Sequence, residues 1–415
     1  MLQIFLKPFP FNKISSSLFL LFASLFLLFS CKKDADYLSS NQAAGPPTIE
    51  RIRLTDIKTT DSSLKKATLG STLAIMGNNL ANAQTVSFNG YTVIVNPVYA
   101  TNSTLIVAVP DSTPTIATNP AVKNEIRVKS PLGEAVYSFT ILPPTPIIEH
   151  ISNEYAKEGE KITLYGKYFY FVDTVAFPGG VNVTTGITTT GTTLSVTIPQ
   201  GINPTMGDVR VKSQSGWSVA NRETKLYDRA TKPGMILNWD DMSSNFGWGI
   251  DAGKKVLASY TGITPIENKF GVIDMAIPGG WGWSNDKVID LDNYGTGVIW
   301  PTTPSSVYDP NAPLSNFDFK FEMASTQPIG ELLLQLNQNG YNITLPLKNF
   351  IMSNDGKWYT VSANLGDLAK SGAKLAKLKD LTASQTFQIV IANSGGADVP
   401  ATLAIDNIRI VRALQ

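Results

Sequence analysis

The sequence predicts an all-β chain in three parts: two small sandwiches, then a larger β-sandwich of jelly-roll type. Three observations predict it. Short runs alternate apolar and polar residues between Gly, Pro or Asn, the pattern of strands with one face in a core. One set of runs occurs twice, with Gly77 and Gly166, Phe88 and Phe177, and Pro110 and Pro199 each separated by 89 positions. Beyond Asp228 the repeat stops, and six of the seven tryptophans follow.

At the N-terminus, Lys7 and Lys13 precede an uninterrupted apolar and small-residue run of 12, Leu18 to Phe29. That is the length of a secretory h-region and short of the ~20 residues that cross a bilayer core. The run ends in Leu28-Phe29-Ser30-Cys31, with Leu three residues before Cys and a small residue directly before it. This resembles the bacterial lipobox, which implies cleavage before Cys31, lipid on its sulfur and new amino group, and a membrane anchor. Residues 1–30 are then a signal peptide and 31–46 a lipid-anchored tether. Lys32-Lys33-Asp34-Ala35-Asp36 resembles the surface-export signal of Bacteroidetes lipoproteins, and Gly45-Pro46-Pro47 stiffens the end of the tether.

The repeats occupy 47–142 and 143–229. Pro47-Thr48-Ile49-Glu50-Arg51-Ile52 matches Pro146-Ile147-Ile148-Glu149-His150-Ile151, and Ile126-Arg127-Val128-Lys129-Ser130 matches Val209-Arg210-Val211-Lys212-Ser213. Six or seven short strands in about 90 residues read as an immunoglobulin-like sandwich. The pattern, with Val-x-Phe and a strand ending in Val-Pro or Ile-Pro, resembles the IPT/TIG family, whose domains are often spacers. Pro143-Pro144-Thr145-Pro146 stiffens the joint between repeats.

Residues 230–415 form the larger sandwich. Alternation continues in Phe317–Phe321, Leu332–Leu336, Phe387–Ile391 and Leu403–Ile410, and Leu365 to Leu378 is a helical candidate. Two tryptophans, Trp281 and Trp283, lie in the glycine-rich run Pro278–Asn285, where little packing could bury them. Trp248 in Phe246-Gly247-Trp248-Gly249 and Trp300 in Tyr294–Pro301 share that style. A flat ring stacks on the C–H face of a pyranose while Asn and Asp take its hydroxyls, so these four are the candidate sugar-binding residues. Trp239 reads as a core residue of a first strand and Trp217 as structural. Trp358 shares an alternation face with Thr360 and Ser362, which leaves it open between core and cleft.

Composition narrows the function. The net charge is +1, with 34 basic and 33 acidic residues, which argues against a nucleic-acid partner. One Cys rules out an intramolecular disulfide, and the single His, His150, argues against Ser-His-Asp and Cys-His catalysis. Among carboxylates near the tryptophans, Asp240 and Asp241 point to opposite strand faces. Asp286, Asp290 and Asp292 read as solvated loop ends or hydroxyl acceptors, so no acid–base pair stands out. No phosphate loop, zinc spacing or nucleophile elbow is present. No cofactor is expected. Ile405-Asp406-Asn407-Ile408 resembles a terminal-strand element of jelly-roll carbohydrate modules, near which calcium is sometimes held.

The order of lipobox, IPT-like repeats and Trp-rich sandwich resembles the surface glycan-binding lipoproteins of Bacteroidetes polysaccharide-utilisation loci, of the type with a C-terminal xyloglucan-binding-like domain. The resemblance implies an outer-membrane protein facing the cell exterior. It would capture polysaccharide without catalysis, a β-glucan or a hemicellulose such as xyloglucan, for neighbouring enzymes and a TonB-dependent transporter. Two alternatives stay open: a lipid-anchored jelly-roll glycoside hydrolase or lyase, and a surface adhesin for protein partners.

Overall fold

The computed structural model describes residues 42–56, 63–221, 223–240, 256–291, 309–338, 341–372, 375–382 and 387–412. It is all-β as expected, and it divides into two compact units, Met1–Pro144 and Thr145–Gln415. Cys31 lies outside the described residues.

In the first unit, Thr48–Leu54, Thr72–Asn78 and Thr104–Ala108 form a three-stranded sheet. Facing it is a four-stranded sheet of Tyr91–Ile94, Thr85–Phe88, Glu125–Ser130 and Gly133–Ser138. Ile52, Leu73, Ile75, Val86, Phe88, Leu105 and Val128, the inward members of the alternating runs, fill the core. The second repeat builds the same sandwich at the start of the second unit. Ile147–Ile151, Lys161–Phe169 and Gly191–Thr197 lie in one sheet, and Val172–Phe177 pairs with Arg210–Ser213 in the other.

The repeats share a defect as well as a pattern. Each first strand slips register at its glutamate, between Ile49 and Arg51 and between Ile148 and His150. Opposite the slip stand Gly77 and Gly166, where a Cβ would come within 1.9 Å of the Thr48 or Ile147 carbonyl oxygen. Only glycine admits so close a backbone approach.

The remaining residues form one sandwich of two sheets. The first runs Val256–Leu257, Phe270–Ile277, Val399–Arg412, Phe317–Ser325, Tyr359–Asn364, with Met235–Leu237 also pairing to the long closing strand. The second runs Val288–Asp290, Gln388–Ala392, Leu333–Gln338, Tyr341–Pro346. Phe317, Phe319, Phe321, Leu334, Leu336, Ile389, Leu403 and Ile405 meet between the sheets. Trp239 is fully buried there, lying on the backbone of Gly271, as expected of a core residue.

The expected helix over Leu365 to Leu378 is instead two single turns, Gly366–Lys370 and Leu378–Thr382. Gly372, at φ +98°, takes the left-handed conformation that ends a helix. Leu368, Leu378 and Leu381 still face the core.

Alternation puts Asp318, Lys320 and Glu322 on the outer face of Phe317–Ser325, yet every residue of that strand is buried. The second repeat covers them. Lys320 Nζ donates to Glu154 Oε1 at 2.7 Å and lies 3.4 Å from Glu223 Oε2. The Arg409 guanidinium forks onto Glu322 at 2.6 and 2.9 Å. Thr360 Oγ1 donates to Glu322 at 3.0 Å and accepts from the Glu154 amide at 2.8 Å. Around this network Tyr155 stacks on Tyr227 at 5.1 Å, and Arg409 sits 4.6 Å over the Tyr227 ring. The edge strand Tyr359–Asn364 is capped by a bond from the Thr360 amide to the Ser152 carbonyl, 2.8 Å long.

Candidate functional site

The glycine-rich segment Pro278–Asn285 leaves Phe270–Ile277 at the end of its sheet and is pinned to the turn after Gln388–Ala392. The Gly280 and Trp281 amides donate to the Gly395 and Asn393 carbonyls at 2.6 and 2.9 Å, and the Gly279 amide to Asp398 at 3.0 Å. Asn393, itself buried, ties the two segments by donating to the Ile277 and Ala397 carbonyls. A Cβ on Gly279 would meet the Gly395 carbonyl oxygen at 2.8 Å, so the glycine is what allows the turns to touch.

Trp281 has φ +61°. A bulky residue in the left-handed region costs about 1–3 kcal/mol and persists only where its surroundings fix the backbone. Here the two amide bonds fix it, and the ring projects outward. The exposures of Trp281 and Trp283 are 53% and 57%. Trp283 is oriented from behind: its Nε1 donates to Asn285 Oδ1 at 2.9 Å, and Lys287 lies 5.9 Å over its ring. Lys287 is buried and donates to the Gly282 carbonyl, closing the loop on itself; burial lowers its pKa. Two exposed rings on a braced loop are held ready for a flat apolar ligand face.

Of the four candidate sugar-binding residues, the structure brings Trp281 and Trp283 together. Trp248 and Trp300 lie outside the described residues. Trp217 is partly exposed on its hairpin, with Arg210 and Lys212 over its ring at 5.3 and 5.8 Å. Trp358 is half-buried, edge-on to Phe270, with Nε1 donating to the Thr264 carbonyl at 2.7 Å.

The carboxylates correct one reading. Asp290 is no solvated loop end: it sits in a strand, buried, and accepts from Gln388 Nε2 at 3.2 Å. Asp240 accepts from the Asn268 and Lys269 amides at 3.1 and 2.6 Å. Asp406 pairs with Glu322, and the next two residues, Asn407 at φ +53° and Ile408, form a bulge where the closing strand slips against Phe317–Ser325. Burial pushes the Asp406 pKa up to about 9, with the Glu322, Asp240 and Glu267 carboxylates adding to it. At 1% exposure the Asp406 carboxyl cannot reach a substrate. Among the described residues no group of three or more His, Cys, Asp or Glu could hold a metal.

Comparisons with known proteins agree with this layout. Residues 229–412 match the model of the surface glycan-binding protein B xyloglucan-binding domain. A curated IPT/TIG domain-containing protein of Bacteroides ovatus is 33% identical over 147 residues, 35% of this chain. The chain spans only 29% of that relative's length. Among solved structures, surface glycan-binding protein PbSGBP-B of Prevotella bryantii aligns over 89% of this chain and 99% of its own, at 20% identity and TM-score 0.59. SGBP-B from a complex xyloglucan utilization locus of Bacteroides uniformis covers 88% of this chain and 99% of its own, at 15% identity and TM-score 0.46. The matched family model and the Prevotella bryantii structure carry the names of glycan-binding proteins. The chain is thus similar in sequence to an IPT/TIG-domain protein and in fold to a surface glycan-binding protein B, and its C-terminal sandwich matches the xyloglucan-binding domain of that type.

Proposed function

We propose that this protein is a non-catalytic, lipid-anchored polysaccharide-binding protein of the outer membrane, facing the cell exterior. It captures a β-glucan or a hemicellulose such as xyloglucan and presents it to neighbouring enzymes and a TonB-dependent importer. The observation that carries the reading is the braced pair of exposed rings, Trp281 and Trp283, within the stretch that matches the xyloglucan-binding domain. Stacking of sugar faces on such rings needs no titrating group and no metal. The lipobox-like Leu28-Phe29-Ser30-Cys31 supports the anchor, and the charged, partly acidic stretch after it supports outward display.

Isothermal titration and affinity gels against a panel of plant and microbial polysaccharides test the binding. Trp281→Ala and Trp283→Ala together should weaken it at least tenfold. Silence across the panel, or full affinity in the double variant, would overturn the proposal. In cells, Cys31→Ser should move the protein from the membrane fraction to the soluble fraction; retention in the membrane would remove the anchor from it.

A further inference from the structure

Between the second repeat and the large sandwich, within one compact unit, lies a cleft of about 610 Å³. That is the volume of a ligand site, for which roughly 300–1,000 Å³ is usual. Its floor is the outer face of the second repeat's sheet, where Thr163 and Ser195 pair across strands with their hydroxyls 3.0 Å apart. Beside them the Tyr165 ring stacks on His150, centroids 4.6 Å apart and planes 14° from parallel. The opposite wall is Trp358, with the Gly262–Thr264 and Asp355–Gly356 turns. Trp358 cannot swing freely, because its indole N–H is bonded to Thr264 and its ring abuts Phe270.

The first repeat shows that the sandwich itself does not require this floor. At the offset of 89, Thr163, Tyr165 and Ser195 stand where the first repeat has Ala74, Met76 and Ile106. The same sheet positions are apolar in one copy and hydroxyl-bearing in the other. We propose that the cleft is a second glycan subsite, in which a neutral oligosaccharide lies between Tyr165 and Trp358 with its hydroxyls on Thr163, Ser195 and Asp355. Two orienting rings with hydroxyl and carboxylate groups around them suit a ligand with apolar faces and an equatorial fringe of hydroxyls. The inference rests on the glycan-binding reading of the chain, but it concerns a different place. Tyr359 is level with Ile405 on the closing strand, whereas the Trp281 loop begins level with Val399. Six residues of strand, about 20 Å, separate the two levels.

The test uses the full chain and oligosaccharide fragments of whichever polysaccharide it binds, followed by saturation-transfer NMR and isothermal titration. With Trp281→Ala and Trp283→Ala in place, residual saturation transfer to the sugar should remain. Adding Ser195→Arg, which fills the cleft from its half-buried floor without touching the Trp358 packing, should drop it at least fivefold, toward background. Ser195→Arg alone should leave binding at the Trp281 loop intact. No residual transfer in the tryptophan double variant, or transfer that Ser195→Arg does not change, overturns the subsite while leaving the first site standing. A wild-type chain that binds no glycan overturns both.

Discussion

Lys320→Met isolates the buried junction between the second repeat and the large sandwich. The Lys320 ammonium is 2% exposed and 2.7 Å from Glu154, whose side chain is 7% exposed. Burial opposes the Lys320 charge, but Glu154 and Glu223 outweigh it and raise its pKa, so lysine is held charged. Burial also raises the Glu154 pKa, with Lys320 and Arg409 acting against it. Removing the ammonium leaves Glu154 with Arg409 at 3.7 Å. Breaking a buried pair costs about 3–5 kcal/mol, and the remaining guanidinium puts this case at the low end, about 3. Removing both charges, as Lys320→Met with Glu154→Gln, strands neither member of the pair and should cost under about 1 kcal/mol, a coupling of at least about 2 before the cost of Glu154→Gln alone is added. All seven tryptophans lie at or beyond position 217, so their fluorescence in urea reports the Thr145–Gln415 unit alone. With a slope near 3 kcal/mol per molar, the single variant should lower the midpoint by about 1 M. A shift under about 0.3 M, or a double variant that loses the sum of the two singles, would refute the account of the junction.

Two further outcomes follow from single positions. The folded pKa of Asp406 is raised to about 9, so its favourable contribution is complete below the unfolded value near 4 and is lost as pH rises toward 9. Asp406→Asn should therefore gain on wild type between pH 4 and pH 8 by on the order of 2–4 kcal/mol in thermal or urea unfolding; a difference constant with pH would contradict the assignment. Gly166→Ala drives a Cβ to 1.9 Å from the Ile147 carbonyl oxygen and should cost at least ~2 kcal/mol. Gly396→Ala, with nothing within 4 Å, should stay within ~0.5 kcal/mol. Equal unfolding midpoints for these two variants would show that the close approach is not required.

The repeats were legible because each strand alternates and each copy repeats the same glycine-permitted slip; Gly77 and Gly166 mark it in the letters themselves. The Trp281 loop was legible because glycines flank its rings. The junction was not. In Phe317-Asp318-Phe319-Lys320-Phe321 the charged residues read as a solvated face, since the alternation is the same whether water or another domain covers that side. Their partner Glu154 is 166 residues away from Lys320, beyond the reach of any local pattern. The same blindness misplaced Asp290, whose partner Gln388 lies on a strand far along the chain. It also hid the cleft, because Thr163 and Ser195 gain meaning only when Trp358 stands opposite. The helix over 365–378 is broken for a local reason: Gly372 takes a left-handed conformation inside the run, and the chain turns there.

The fused second sandwich bears on how such a chain can be recombined. A cut near residue 229, where the repeat pattern ends, would strip cover from Arg409, Lys320 and Glu322, which are all buried in the intact unit. A graft there would carry an orphaned Lys320 and an uncovered Arg409–Glu322 pair into its new host. A cut at Pro143–Pro146 strands none of them. The portable cassette is therefore the stretch from Thr145 onward, one immunoglobulin-like copy included, and the two look-alike copies are not interchangeable parts: the first can be lengthened, duplicated or dropped, while the second has become the foundation of its neighbour.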